Sequence, residues 1–308
     1  MQRQSFDPGL TQKYTGALRR AINKDGSFNV HHKGSRLKDH SFYQFLITIS
    51  WIKFHIVVLI TYVVLNSLFA GLYLIAGIEN LQGANASSPL EAFLSAFFFS
   101  IHTFTTVGYG TIAPRGISVN IIAALEAITG LMSLALATGL LFGRFSKPSA
   151  NIGFSSKAII APYQDKTSLQ FRIVNRRKIN LLEMEANVLL MTVDKSGATP
   201  VRKYFQLPLE RHSVYFFPLP WTIVHPIDKT SPLHNKKPED LAKVHAEILI
   251  LIKGFDETFG QAVHARYSYR FDEIIWGAKF KTAFSIDANG DVILHLDDIN
   301  NLEHVKLS

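Results

Sequence analysis

The run Thr105-Thr106-Val107-Gly108-Tyr109-Gly110 carries its chemistry in the main chain. Two glycines sit two residues apart, and each can take left-handed dihedrals without a Cβ penalty. Alternating such residues with ordinary ones points successive carbonyl oxygens to one side. Four strands of this kind around an axis form stacked cages of oxygen that replace the water shell of a dehydrated cation. Val107 and Tyr109 then turn outward, and Thr106 adds a hydroxyl at the inner end. Non-helical backbone at membrane depth is tolerated only when it is buried in protein or lines a water-filled path.

The surrounding elements must meet that condition. Residues 56–76 are uncharged and long enough to cross about 30 Å of hydrocarbon. Trp51 and Lys53 sit at the start as interface anchors, giving an outer helix over 52–76. Residues 77–88 are rich in Gly, Asn and Ser and carry no Lys or Arg, as suits an extracellular loop. Ser88-Pro89-Leu90-Glu91 reads as a capping box with proline in the first turn. The helix it opens, 89–104, is only about 22–24 Å long at 1.5 Å per residue, so it enters the membrane and turns back as a re-entrant pore helix. The filter follows at 105–110, and an inner helix covers 117–144 with Glu126 as the charge in its apolar part. Ahead of the first span, Phe42, Phe45, Leu46 and Ile49 share one helical face. That predicts an interfacial slide helix over 39–51, with Asp39 or Ser41 as its N-cap. Residues 1–38 are polar and read as a mobile arm, with His31-His32 solvated.

Net charge is +8, and its position is informative. Residues 1–55 carry nine Lys/Arg against three Asp/Glu, whereas 56–142 carry only Arg115 against three Glu. Positive charge therefore flanks the apolar region, as expected of cytoplasmic flanks. The chain has no cysteine, which excludes disulfide and thiol chemistry. From 148 the composition is that of a β domain. Residues 188–193, 247–253 and 292–296 are β-branched or alternating runs, prolines punctuate the rest, and 238–244 is the one short helix expected. A sandwich or barrel follows, without a dinucleotide-type turn.

Several residues are candidates for function. One subunit supplies one filter strand (Thr106, Val107, Gly108, Tyr109, Gly110), so a pore needs four copies, a homotetramer. Leu134, Thr138 and Phe142 form a stripe facing the pathway, and four Phe142 rings close a hydrophobic gate. Gly130 and Gly139 are hinge or close-packing positions. Glu126, an intramembrane carboxylate, supports the filter region. Arg144 and Lys147 emerge where anionic head groups attract cations by about 1 kcal/mol each, and Lys157 with Arg176-Arg177-Lys178 extends that patch.

The sequence resembles the inward-rectifier potassium channels in their prokaryotic, KirBac-type branch, over residues 39–284. Thr-Val-Gly-Tyr-Gly at 106–110 is the potassium-channel filter sequence itself. Other shared motifs are Ser50-Trp51, Phe98-Phe99-Ser100, Arg144-Phe145-Ser146-Lys147-Pro148, His225-Pro226-Ile227-Asp228, Ser231-Pro232-Leu233, His264-Ala265-Arg266-Tyr267-Ser268-Tyr269 and Asp272-Glu273-Ile274-Ile275-Trp276-Gly277. The resemblance implies a membrane α-helical pore domain, with two transmembrane helices and a re-entrant pore helix, joined to an all-β immunoglobulin-like sandwich cytoplasmic domain over 148–308. It also implies the gate at Phe142, a second constriction near 260–266 including Gly260, and lipid modulation at Arg144 and Lys147. An acidic position in the cytoplasmic pore wall matches Glu183 or Glu185, which alternation places on one face. Two departures stand out. Leu134 replaces the acidic residue of strong rectifiers, putting strong rectification in doubt. His102 replaces a common glutamate, putting the usual ion pair behind the filter in doubt and adding a pH-sensitive group.

The expectation is a potassium-selective, multi-pass channel of the cell (inner) membrane with both termini cytoplasmic. It has no enzymatic role, no cofactor beyond the permeant potassium ion and no nucleic-acid partner. A membrane-anchored β-sandwich receptor is the alternative, and cytoplasmic placement of the β domain argues against it.

Overall fold

The computed structural model describes residues 8–10, 19–30, 41–146, 150–197 and 199–307. The chain divides into two compact units, one holding residues 32–147 and the other the remainder.

In the first unit, α1 spans Phe42–Thr48 and α2 spans Trp51–Ala76. The Ser41 hydroxyl caps α1 by accepting from the Gln44 amide at 3.3 Å. The slide helix is shorter than the expected 39–51: Ile49 and Ser50 turn extended (ψ 160° and 155°), so Trp51 begins the outer helix. Asp39 lies outside the described residues. A short pairing of β1 (Leu81–Gln82) with β2 (Ala113–Pro114) encloses α3 (Pro89–Phe104) and the loop after it. Ser88 caps α3 through the Glu91 amide at 3.3 Å, with Pro89 in the first turn. Helix α4 runs Ile117–Phe145. Helices α2 and α4 are long and apolar enough to cross a membrane.

Burial within this unit is narrow. On α2 only Phe54, Asn66, Ala70 and Tyr73 are buried, and on α4 only Val119, Glu126, Gly130 and Arg144. Most of these face α3, while Phe54 and Arg144 meet each other, and large residues such as Ile75, Ile117 and Leu136 stay more than 65% exposed. Apolar surface on that scale demands lipid or further copies of the chain.

The second unit is the sandwich. One five-stranded sheet has the order β11-β10-β6-β7, with β8 also on β6; the other has the order β12-β4-β5-β3, with β9 also on β5. The strands are β3 (Ile152–Phe154), β4 (Ala158–Tyr163), β5 (Lys166–Asn175), β6 (Leu181–Asp194), β7 (Val201–Gln206), β8 (Ser213–Phe216), β9 (Trp221–Ile227), β10 (Glu247–Asp256), β11 (Gln261–Arg270) and β12 (Ile274–Trp276). Alternate residues meet between the sheets: Ala186, Val188 and Leu190 from β6, Ile248, Ile250 and Ile252 from β10, and Leu169, Phe171 and Ile173 from β5. The short helix is α5, Pro238–Lys243.

The mobile-arm reading is corrected for residues 19–30. Ala21 and Ile22 pack with Met191, Tyr204 and Leu249 on the outer face of the first sheet. The buried Glu247 carboxylate accepts the Ala21 amide at 3.0 and 3.1 Å and the Ile22 amide at 3.4 Å. The Ser268 hydroxyl donates to the Ile22 carbonyl at 2.8 Å. Arg20 and Lys24 pair with Glu273, and Lys24 also lies over the Tyr267 ring. Polarity misled here because the two apolar residues that dock are flanked by charges which find partners only in the fold. His31 and His32 lie outside the described residues.

Candidate ion pathway

Helix α3 ends on carbonyls that an ordinary helix leaves orphaned. Here they accept the amides of the loop beyond. Thr105 N–H donates to Ile101 at 3.0 Å and Thr106 N–H to Thr103 at 3.0 Å, while His102 accepts from Val107 at 3.0 Å and Gly108 at 3.2 Å. With these donors engaged, the loop's own carbonyls stay free for a ligand. The backbone alternates as the chemistry requires: φ is 58° at Thr106, 56° at Gly108 and 78° at Gly110, with Val107 and Tyr109 at negative φ between them. A Cβ built on Gly108 or Gly110 would meet nothing within 4 Å, so glycine is there for its dihedrals. The C-terminal, negative end of the α3 dipole points at this strand and favours a cation.

Sequence reasoning assigned the left-handed positions to the glycines and missed Thr106. The signal was available, because the same two-residue alternation extended backwards from Gly108 reaches Thr106. A β-branched residue at positive φ is a strained outlier of about 1–3 kcal/mol, of the kind that clusters at functional sites. Tyr109 turns outward as expected, and its ring meets the His102 ring edge-on at 4.8 Å.

Behind the filter, Glu126 is fully buried. It accepts a hydrogen bond from the Tyr73 hydroxyl, and its other oxygen lies against Ser100 Oγ. Ser100 Oγ is also 3.0 Å from Asn66 Oδ1. Both carboxyl oxygens are engaged by hydroxyls of neighbouring helices. Gly130, one turn on, is a close-packing position: a Cβ there would run into the Phe104 carbonyl, whereas Gly139 has open space. On α4 the Leu134, Thr138 and Phe142 stripe is exposed, Phe142 at 72%, and lies about 80–160° around the helix from Glu126 at 3.6 residues per turn.

Arg144 departs from the lipid-facing expectation. Its side chain is buried, its two terminal nitrogens donate to the carbonyls of Leu46 and, at 2.8 Å, Ile49, and its guanidinium lies 4.5 Å from the Trp51 ring and 4.6 Å from the Phe54 ring. Those carbonyls belong to the end of α1, so Arg144 is a C-terminal cap supplied in trans by α4. Lys147 lies outside the described residues.

In the β domain Glu183 and Glu185 are both exposed, with the buried Met184 between them, as alternation expects. Glu183 has φ 49°, and pairing shifts between Lys253↔Glu185 and Phe255↔Leu182. This bulge inserts one residue beside Glu183, and the two-residue period runs from there on. Gly260, φ 60°, sits in the turn joining β10 to β11. The expected constriction at 260–266 is correspondingly mostly strand, since β11 begins at Gln261. Arg176 and Lys178 are exposed in the β5–β6 connection, and Lys157 Nζ donates to the Asp272 carbonyl at 3.3 Å. Among the described residues no group of three or more acidic or histidine side chains is placed to hold a metal.

Comparison with known proteins agrees with this geometry. Residues 152–308 match the family model described as inward rectifier potassium channel C-terminal domain, and residues 46–147 match an ion-channel model. The inward rectifier potassium channel Kirbac3.1 of Paramagnetospirillum magnetotacticum is 37% identical over 288 residues, covering 92% of this chain and 95% of that protein. The human G protein-activated inward rectifier potassium channel 2 is 28% identical over 302 residues, covering 88% of this chain and 69% of that protein.

Proposed function

The chain belongs to the inward-rectifier potassium channel family, and we propose that four copies surround one passive potassium pathway in the cell membrane, with both termini in the cytoplasm. The observation that carries the reading is the filter backbone. Left-handed dihedrals at Thr106, Gly108 and Gly110 alternate with ordinary ones, while the α3 carbonyls hold the neighbouring amides. Each copy then contributes the carbonyls of residues 106–110, and fourfold symmetry completes the cages. His102 supports the filter through its carbonyl and its contact with Tyr109. Leu134 and Thr138 line the pathway below, and rings of Phe142 form the gate, dewetting the pore when they close. With leucine at 134 the pathway-facing stripe of the inner helix offers no carboxylate to a blocking cation, so rectification is weak. Glu183, Glu185 and Gly260 contribute to the wall of the cytoplasmic pore.

Anionic lipid acts at the membrane surface through Lys147 and the exposed Lys53. Arg144 acts differently, holding the slide helix to the inner helix so that movement of one is felt by the other. Flux from liposomes containing the purified protein tests the reading. Potassium efflux should far exceed sodium efflux and should respond to anionic lipid. Equal permeation of sodium, or a protein that remains monomeric, would overturn it.

A further inference from the structure

Behind the filter lies a hydrogen-bonded chain whose donors can be counted. Asn66 and Tyr73 from α2, Ser100 from α3 and Glu126 from α4 are all fully buried. Asn66 Nδ2 donates to the Tyr62 carbonyl at 2.8 Å, which fixes the amide so that Oδ1 is the atom facing Ser100 at 3.0 Å. Tyr73 donates to one oxygen of Glu126. Ser100 Oγ, with a single O–H, then lies between two acceptors, Asn66 Oδ1 and the second oxygen of Glu126. If residue 126 only accepted, one of those buried oxygen pairs would face the other without a proton, an arrangement that costs the desolvation of both. The chain closes when residue 126 accepts from Tyr73 and donates to Ser100, leaving the Ser100 proton for Asn66. A carboxylic acid meets that requirement; a carboxylate does not.

We propose that Glu126 carries its proton and acts as a neutral link in a strut, with Asn66, Tyr73 and Ser100 as positioning residues for the filter. Ser100 stands one turn or less before the Ile101, His102 and Thr103 carbonyls that hold the filter amides. One turn beyond Glu126, Gly130 seats α4 against the Phe104 carbonyl. The strut therefore sets the position of the α3 terminus relative to both spanning helices, and through four hydrogen bonds from backbone amides the position of residues 105–108. The four residues interlock across three helices, in an apolar setting where a satisfied polar network specifies one arrangement.

The flux readout of this strut rests on the channel reading; the spectroscopic one does not. Infrared difference spectra of wild type against Glu126→Gln, at neutral pH in liposomes, should show one carboxylic-acid C=O band lost in the variant. Tyr73→Phe, which removes the hydrogen bond to that C=O, should move the band to higher frequency. A glutamine both donates and accepts, so Glu126→Gln should keep the wild-type potassium-to-sodium flux ratio. Glu126→Leu should lower it about tenfold, the equivalent of one lost buried hydrogen bond. Carboxylate bands in place of the acid band, or a Gln variant as unselective as Leu, would overturn the proposal. If wild type itself fails to select potassium, the channel reading falls while the acid band still decides the strut.

Discussion

Replacing Arg144 by leucine distinguishes a cap from a lipid ligand. In wild type its guanidinium makes hydrogen bonds to two carbonyls at the end of α1 and lies against two aromatic rings. A hydrogen bond with a charged partner contributes about 1.5–3 kcal/mol, and a partly desolvated cation–π contact contributes about 0.5–2 kcal/mol. Leucine recovers some apolar contact, and the two carbonyls regain water near the interface, so the net loss between α1 and α4 is about 3 kcal/mol. That shifts a docked–undocked equilibrium more than 100-fold, at about 1.4 kcal/mol per factor of ten. The chain has no native cysteine, so spin labels placed on one α1 and one α4 position, in labelled chains diluted with unlabelled ones, report that pair. Wild type should give a narrow distance distribution and Arg144→Leu a broad one, with the anionic-lipid concentration for half-maximal flux little changed. Arg144→Lys should fall between, because an ammonium cannot span both carbonyls as a planar fork does. If the leucine variant keeps the narrow distribution and shifts only the lipid dependence, Arg144 is a head-group ligand and the capping argument is wrong.

Other outcomes follow from the same geometry. Phe142→Ala should raise basal potassium leak from liposomes, and unchanged closed-state flux would remove the gate assignment. Gly130→Ala forces a methyl group against the Phe104 backbone; overpacking of this kind costs about 1–3 kcal/mol, so the protein should melt earlier and select potassium less sharply, whereas Gly139→Ala should do neither. Docking of residues 19–30 should depend on acid. Burial pushes the Glu273 carboxyl up, but the Arg270 amide, Lys24 and Arg20 overcome this and hold it below the usual glutamate range. Its contribution is therefore present above the ordinary glutamate pKa and is lost as pH falls through the depressed one. Amide exchange at Ala21 and Ile22 should accelerate on that acid limb in wild type and be fast throughout in Glu273→Gln; pH-independent protection in wild type would refute this.

What could be read from the chain itself were features governed by neighbours in sequence. Ser41 and Ser88 cap helices because their hydroxyls reach amides three residues on. Residues 56–76 read as a span from composition, Pro238 as a helix start, and Gly108 and Gly110 as left-handed positions, since each property belongs to a residue and its immediate surroundings. The tertiary structure decided what depends on partners far away in sequence. Glu126 meets Tyr73 across 53 positions, and Arg144 meets Leu46 across 98, which turns an apparent surface cation into a helix cap. Ala21 reaches Glu247 across 226 positions, so a stretch that looks solvated is docked. The bulge beside Glu183 is visible only as a register shift against β10, a strand some seventy positions away. Even Thr106, whose left-handed backbone continues a pattern visible in the sequence, is held there by carbonyls that only the completed α3 presents. Local dihedral preference and hydrophobic periodicity are properties of short windows. The use of a charge is settled by whichever partner the fold brings to it.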